Sequence, residues 1–349
     1  MKKRILHVLN SSIYSGAENV VITMINNMRQ EFDCGYVSRD GSIRKVLKDE
    51  GIEFISINKM SILEIRRVIK SFKPDIIHAH DYTASIICAV SNLRIPVISH
   101  LHNNAPWIKT YHPFSFAYLF ATIRISKILG VSSAIFEEYK FGDLLKSKSI
   151  MVSNPVDISK IKSKAKLELD EKVTEYDVVL LGRLVQEKNP LRFIEIVNRL
   201  AKINPDFKAV MIGDGSLRNE CELKIKQLKL EKNIVLTGFM ANPYKILSQA
   251  KMLCMTSVWE GYGLVAIEAL ALGLPVLASP VGGLSNIVNN DSGKLCKSDE
   301  DYVSEIKKLY FDEAYRMTKS RGAILRAEDL NNINNYTQNI KCVYREVLG

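Results

Sequence analysis

The sequence predicts an α/β protein built on two parallel sheets, and three observations carry that expectation. Apolar runs of strand length alternate with helical patterns from residue 4 to residue 152. A second alternation begins at residue 177 and continues to residue 278. Between the two, residues 158–175 are rich in Lys and Glu and poor in large apolar side chains, which reads as a linker. Strands separated by helices imply parallel pairing under helical layers on both faces. A chain of 349 residues suits two such domains. The expected boundaries are 1–157, a linker over 158–175, 176–330, and a last helical segment over 331–349.

Composition narrows the class. With 47% apolar and 25% charged residues the chain is ordinary globular material. No window holds 18 uninterrupted apolar residues, so no membrane span is expected. Lys2, Lys3 and Arg4 precede only a short apolar run with His7 inside it, and no small-residue cleavage pattern follows, which argues against a signal peptide. The six cysteines are scattered without a C-x-x-C pair, as expected of packed thiols in a reducing cytoplasm. Residues 1–153 contain 20 basic and 13 acidic residues, so most of the net charge of +10 sits in the first half. That bias suits an anionic partner, although a solvated basic surface is the commoner cause.

In the first half, strands are expected over 4–9, 34–37, 54–57, 75–80, 96–101, 127–131 and 149–152. Ligands of open parallel sheets gather beyond the carboxyl ends of the strands. Ser15-Gly16, His78/His80 and His100/His102 stand at such ends. The loop 11–18 lacks G-x-G-x-x-G, so a dinucleotide fingerprint is missing. Gly16 before a helix either lets an anion approach or simply eases the turn. Residues i and i+2 of a strand share a face, so the two H-x-H pairs could in principle hold zinc. No Asp, Glu or Cys completes a ligand set, and no metal is assigned. His102 is the candidate for a hydroxyl partner, with pairing to backbone as the alternative. Residues 111–120 carry Tyr111, Phe114, Phe116, Tyr118 and Phe120 beside Lys109, Arg124 and Lys127. They either meet a membrane interface or lipid-linked substrate, or pack a helix on the core. Packing is the commoner outcome.

The second half repeats one device. Strand 177–181 runs into Gly182-Arg-Leu-Val-Gln-Glu-Lys188, with Pro190 in the first turn of the next helix. Strand 209–212 ends in Gly213-Asp-Gly215, and strand 234–236 in Thr237-Gly-Phe239. The strand over 251–256 leads into Glu260-Gly-Tyr-Gly263, with Glu268 in the helix 264–272 that follows. Strand 275–278 ends in Pro280-Val-Gly-Gly283. Glycines before a helix leave backbone N–H groups bare at its positive end, a site for phosphate or sugar oxygens. Arg183 and Lys188 are placed to neutralise a diphosphate. Ser298 with Asp301 reads as a capping box rather than a metal-binding D-x-D.

Taken in order, these residues resemble the retaining, nucleotide-sugar-dependent glycosyltransferases of family 4, of GT-B fold. The carrying motifs are Gly182-Arg183…Glu187-Lys188-Asn189, Gly213-Asp-Gly215, Thr237-Gly-Phe239 and Glu260-x7-Glu268, with Asn154-Pro-Val-Asp157 at the domain junction. Residues 96–103 resemble the capsule and exopolysaccharide members in particular. The resemblance implies two Rossmann-like domains facing each other across a cleft, the first binding the acceptor and the second the nucleotide sugar. It implies that the last helix crosses back onto the first domain. Arg183 and Lys188 would hold the donor diphosphate without a metal or other cofactor, Glu268 the ribose, and Glu260 the sugar hydroxyls. Gly16, Gly213, Gly238, Phe239, Tyr262, Gly263 and Leu264 would line the donor site, and His102 would meet the donor sugar. Ser15 stands where the family often has a second glycine, which weakens the part assigned to Gly16. The implied partners are a nucleotide sugar, expected to be a UDP-sugar, and a polysaccharide or lipid-linked acceptor, with no nucleic acid. The implied location is cytoplasmic, with peripheral contact at the inner membrane face as an option. A non-catalytic GT-B subunit that binds a partner or sugar nucleotide is the alternative.

Overall fold

Continuous apolar runs bury each central strand on both faces, and strand order then decides which strand ends become neighbours. The computed structural model describes residues 2–92, 94–166 and 175–349. They fall into two units, Met1–Pro155 with Ile333–Gly349, and Val156–Asn332.

The first unit holds β1 (Lys3–Val8), β2 (Phe32–Arg39), β3 (Glu53–Ile57), β4 (Ile76–Ala79), β5 (Val97–Leu101), β6 (Ile125–Gly130) and β7 (Ser149–Met151). They form one sheet in the order β3-β2-β1-β4-β5-β6-β7, with every pair parallel. All residues of β4 and β5 are buried, as both-face coverage requires. The order reverses between β1 and β4, so the loop after β1 and the start of the helix Tyr82–Ser91 share one crevice. Asp81 ties them together, accepting from Asn10 N at 2.8 Å and capping the helix at Ala84 N at 2.7 Å.

The second unit holds β8 (Val178–Leu181), β9 (Ala209–Ile212), β10 (Ile234–Gly238), β11 (Leu253–Met255), β12 (Val276–Ala278) and β13 (Gly293–Leu295). Its sheet order is β10-β9-β8-β11-β12-β13, again with all pairs parallel. The reversal lies between β8 and β11, so the loops after those two strands flank the crevice. The short β13 carries too few apolar residues to announce itself in the sequence.

Two expectations need correction. The segment read as a linker, 158–175, opens with the helix Ile158–Ala165, whose Ile158, Ile161 and Ala165 enter the core of the second unit. Their spacing is helical, but three apolar residues among lysines and serines leave only a weak pattern. Residues 167–174 of that segment lie outside the described residues. The second correction concerns the aromatic stretch: Pro113–Ala121 is a helix, but Phe114, Phe116 and Phe120 are exposed rather than packed.

The helix Glu313–Leu330 ends at Asn331, and the last helix, Ile333–Leu348, belongs to the first unit. It buries Tyr336, Ile340, Val343 and Tyr344 there. Tyr344 packs edge-on against Phe32 with centroids 5.3 Å apart, and Lys341 and Arg345 reach Glu31 at 2.5 and 3.1 Å. Ser298 and Asp301 form the expected capping box. All six cysteines are free thiols, and four of them are buried.

Candidate active site

Around the crevice of the second sheet, glycines let three strand-end turns stack backbone on backbone. Gly213 has φ +139, and a Cβ there would stand 1.9 Å from the Gly182 carbonyl oxygen. Its N–H donates to Gly238 O at 2.8 Å, and Leu184 N donates to Asp214 O at 2.9 Å. The turns after β8, β9 and β10 are thereby fused. Arg183 projects from the first of them, exposed and without an ion-pair partner among the described residues.

The turn after β8 is also joined to the turn after β11. Thr256 donates its hydroxyl to the carbonyls of Lys188 and Asn189 at 3.2 and 2.9 Å, and Val258 N donates to Glu187 O at 2.9 Å. Lys188 Nζ donates to Glu260 Oε2 as an ion pair, with both side chains largely buried. Ser257 Oγ lies 3.4 Å from the same carboxylate oxygen. The loop after β12 supports this turn from beneath: a Cβ on Gly282 would stand 1.7 Å from Glu260 O, and one on Gly283 2.2 Å from Tyr262 O. Gly263, at φ +93, caps the helix Leu264–Ala271. The N–H groups of Leu264 and Val265 have no acceptor inside the helix, while Ala266 N donates to Gly263 O at 2.9 Å. Phe239 stands exposed after β10.

Glu268 sits on the helix Leu264–Ala271 and is engaged separately, accepting from Tyr244 Oη at 3.2 Å. Burial raises its carboxyl from the ordinary 4.5 to about 7, opposed by that hydrogen bond and by the charge of Lys164. Lys164 lies on the helix the sequence concealed as linker. Because the folded carboxyl holds its proton to a higher pH than the unfolded one, unfolding free energy falls as pH rises from 4.5 to about 7 and is level above. Glu268→Gln should remove that slope. Urea unfolding at pH 5 and pH 8 tests this; an equal pH dependence in variant and parent would exclude Glu268 as its source.

In the first unit, His102 is part of a larger group than the two H-x-H pairs. His7 of β1 joins His78, His80, His100 and His102, all five buried. His7 Nδ1 lies 3.0 Å from His80 Nε2, and His80 Nδ1 lies 3.2 Å from His102 Nε2, a continuous imidazole chain. His78 stacks on His80 at 4.2 Å and His100 on His102 at 4.3 Å, while His78 Nδ1 meets Tyr344 Oη at 2.7 Å. Burial lowers His102 to about 4, with Asn154 opposing the shift, and lowers His7 to about 3. The rings are therefore neutral near pH 7 and each has one donor and one acceptor nitrogen. Two triplets, His7/His78/His80 and His80/His100/His102, bring ring nitrogens within 4.8 Å of one another, the spacing of a metal-ligand set. Within them only His7 Nδ1 with His80 Nε2 and His80 Nδ1 with His102 Nε2 are joined, while His7 Nε2, His78 Nε2 and both nitrogens of His100 are buried without a hydrogen-bond partner among the described residues. Gly16 begins the helix Gly16–Met28 in the same unit, behind Ser15, whose N–H donates to Glu18 Oε2 at 3.0 Å.

Two Rossmann-like parallel sheets, each with its strand order reversing at a switch point, make the α/β architecture of the GT-B class. Residues 14–160 match the model described as Glycosyltransferase Family 4, and residues 161–325 the model described as Glycosyl transferases group 1. The chain belongs to the GT-B glycosyltransferases of family 4 type. It is 25% identical, over 93% of both chains, to a Campylobacter jejuni alpha-1,4-N-acetyl-D-galactosaminyltransferase named for a diNAcBac-PP-undecaprenol-linked substrate. It is 25% identical to an Escherichia coli UDP-Gal:alpha-D-GlcNAc-diphosphoundecaprenol alpha-1,3-galactosyltransferase, over 83% of this chain and 82% of that one. An uncharacterized glycosyltransferase of Methanocaldococcus jannaschii is 27% identical, over 62% of this chain and 58% of its own. Among solved structures, Anabaena HepE in complex with UDP-glucose shares the fold, with a TM-score of 0.82 and 19% identity over 98% of this chain and 99% of that one.

Proposed function

We propose that this glycosyltransferase moves a sugar, with retention, from a UDP-sugar to a lipid-linked saccharide in bacterial surface-glycan synthesis. The observation that carries the proposal is the meeting of Lys188 and Glu260 at the switch point of the second sheet, beside Arg183 and the bare end of the helix Leu264–Ala271. Breaking the bond from the anomeric carbon to the β-phosphate oxygen places negative charge on the departing diphosphate. Arg183, Lys188 and the helix N-terminus oppose that charge where it develops. With two side-chain cations present, no metal is required, and a chelator should leave the rate unchanged. The acceptor hydroxyl attacks from the face the nucleotide leaves, and its proton passes to the departing phosphate oxygen. Glu260 accepts from sugar hydroxyls and Glu268 from the ribose. Gly213, Gly238, Phe239 and the backbone from Tyr262 to Leu264 complete the donor surface. In the first unit the tautomer of His102 is set through His80 and His7.

Support for donor and acceptor comes from the relatives. One is named for UDP-Gal, both curated enzymes for a diphosphoundecaprenol-linked saccharide, and HepE was solved with UDP-glucose. Both enzymes are also named for alpha products, which from an alpha-linked donor means retention. A lipid-linked acceptor would put the work at the inner face of the membrane. The test is a thermal-shift screen over UDP-, GDP- and ADP-sugars, followed by a transfer assay on lipid diphosphate saccharides. A donor at a hundred times its Kd adds about 2.7 kcal/mol of stability, a shift of roughly 5–10 °C. Stabilisation by GDP- or ADP-sugars alone would overturn the UDP assignment. Binding without transfer or hydrolysis would favour the non-catalytic alternative.

A further inference from the structure

We propose that His7, His78 and His80 form a buried structural site for one zinc-like divalent ion in the first unit. The site goes beyond the transfer reading and does not depend on it, because metal binding is measured without substrate. Strand order builds it. β4 lies beside β1 in a register that sets His7 opposite His78, and His80 follows two positions on, sharing the face of His78. The third imidazole, which neither H-x-H pair supplies, thus comes from the neighbouring strand. One nitrogen from each of the three rings lies within 4.8 Å of the others, and His7 Nδ1 stands 3.0 Å from His80 Nε2. Nitrogens bound tetrahedrally to zinc at about 2.0–2.1 Å stand about 3.3 Å apart, so that pair already has the spacing and His78 closes on it.

Two of the three ligands are oriented from behind, as metal-bound histidines are. His78 Nδ1 meets Tyr344 Oη at 2.7 Å, and His80 Nδ1 meets His102 Nε2 at 3.2 Å. With the ring protons on those nitrogens, Nε2 of both His78 and His80 presents a lone pair. His78 Nε2 is buried without a hydrogen-bond partner. An imidazole chain alone leaves that lone pair unsatisfied in the core, whereas a metal ion takes it up. The ion replaces the proton between His7 Nδ1 and His80 Nε2, which passes to His7 Nε2. The second triplet, His80/His100/His102, lacks this support, because neither nitrogen of His100 has a partner to orient its ring. Three neutral nitrogen donors favour zinc, cobalt or nickel over magnesium and calcium, which take oxygen ligands. All three rings are at most 2% exposed, so no substrate reaches the ion and its part is structural. Its removal should lower Tm and leave the transfer rate unchanged.

The experiment is titration of the untagged full chain with Co²⁺ and Zn²⁺ after stripping with dipicolinate and dialysis. Co²⁺ should bind at one ion per chain with the intense visible absorption of a four-coordinate site. Zn²⁺ should displace it and raise Tm, and Mg²⁺ in about hundredfold excess should do neither. His7→Gln and His78→Gln should abolish the absorption. His112→Gln, which removes the exposed histidine outside the cluster, should leave it unchanged. Tyr344→Phe keeps all three ligands and should weaken Co²⁺ binding by about 10–100-fold. Absence of the absorption in the wild type, its loss in His112→Gln, or its survival in a folded His78→Gln would overturn the proposal. Should His78→Gln not fold by circular dichroism, undiminished affinity in Tyr344→Phe would overturn it instead.

Discussion

Lys188→Ala should lower kcat for sugar transfer by about 10³-fold, which is roughly 4 kcal/mol of transition-state stabilisation. The side chain is the cation nearest the Glu260 carboxylate, and its backbone carbonyl accepts from Thr256 at 3.2 Å. Alanine leaves that backbone bond in place and removes only the charge. On the proposed function, the departing diphosphate would lose a counter-charge held in a partly buried position, where water screens poorly. Glu260 would also be left unpaired, so Tm should drop slightly, and Lys188→Ala/Glu260→Gln should recover the Tm but not the rate. Arg183→Ala is the cleaner companion: exposed and unpaired, it should lose rate with no change in Tm. Initial rates at saturating donor decide the matter. Turnover within about tenfold of wild type in both variants would remove the diphosphate role.

Gly282→Ala should destabilise the second unit by about 3 kcal/mol or more and abolish transfer with it. Two costs combine at this position. The backbone sits at φ +51, and the added Cβ would stand 1.7 Å from the Glu260 carbonyl oxygen, far inside contact distance. Relief would require shifting the turn that carries Glu260. Gly51→Ala separates the two costs, because φ there is +64 with nothing within 4 Å of the added Cβ. That variant should lose only about 1 kcal/mol, the cost of the left-handed backbone alone. Urea unfolding of both variants gives the comparison. Equal losses would mean that Gly282 does not brace the Glu260 turn.

Much of the fold was legible in the chain because parallel strands buried on both faces leave continuous apolar runs, as in Ile76–Ala79 and Ala209–Ile212. The turns after β8, β9, β10 and β11 were legible for another reason: each carries a glycine at positive φ, Gly182, Gly213, Gly238 and Gly263, and at Gly213 a Cβ would also meet the Gly182 carbonyl. The failures have equally local causes. The helix Ile158–Ala165 was concealed because three small or medium apolar residues are enough when the core already exists on the other side. The helix Pro113–Ala121 was read inward because aromatic content reports hydrophobicity and not direction; Ser115 and Tyr118, by finding partners inside, turned the phenylalanines out. His7 gave no signal beyond a polar residue inside an apolar strand. Nor did any spacing reveal that Lys188 would pair with Glu260, 72 residues away.

By itself, then, the sequence determined the two parallel α/β sheets, the glycine turns at their strand ends and the resemblance those turns carry, because such features are written in neighbouring residues. The tertiary structure alone decided which ends meet. Placing β4 beside β1, and β11 beside β8, joined His7 to His80 and His102, and Lys188 to Glu260. Strand order is set by packing the whole sheet under its helices, and no local run of residues records it.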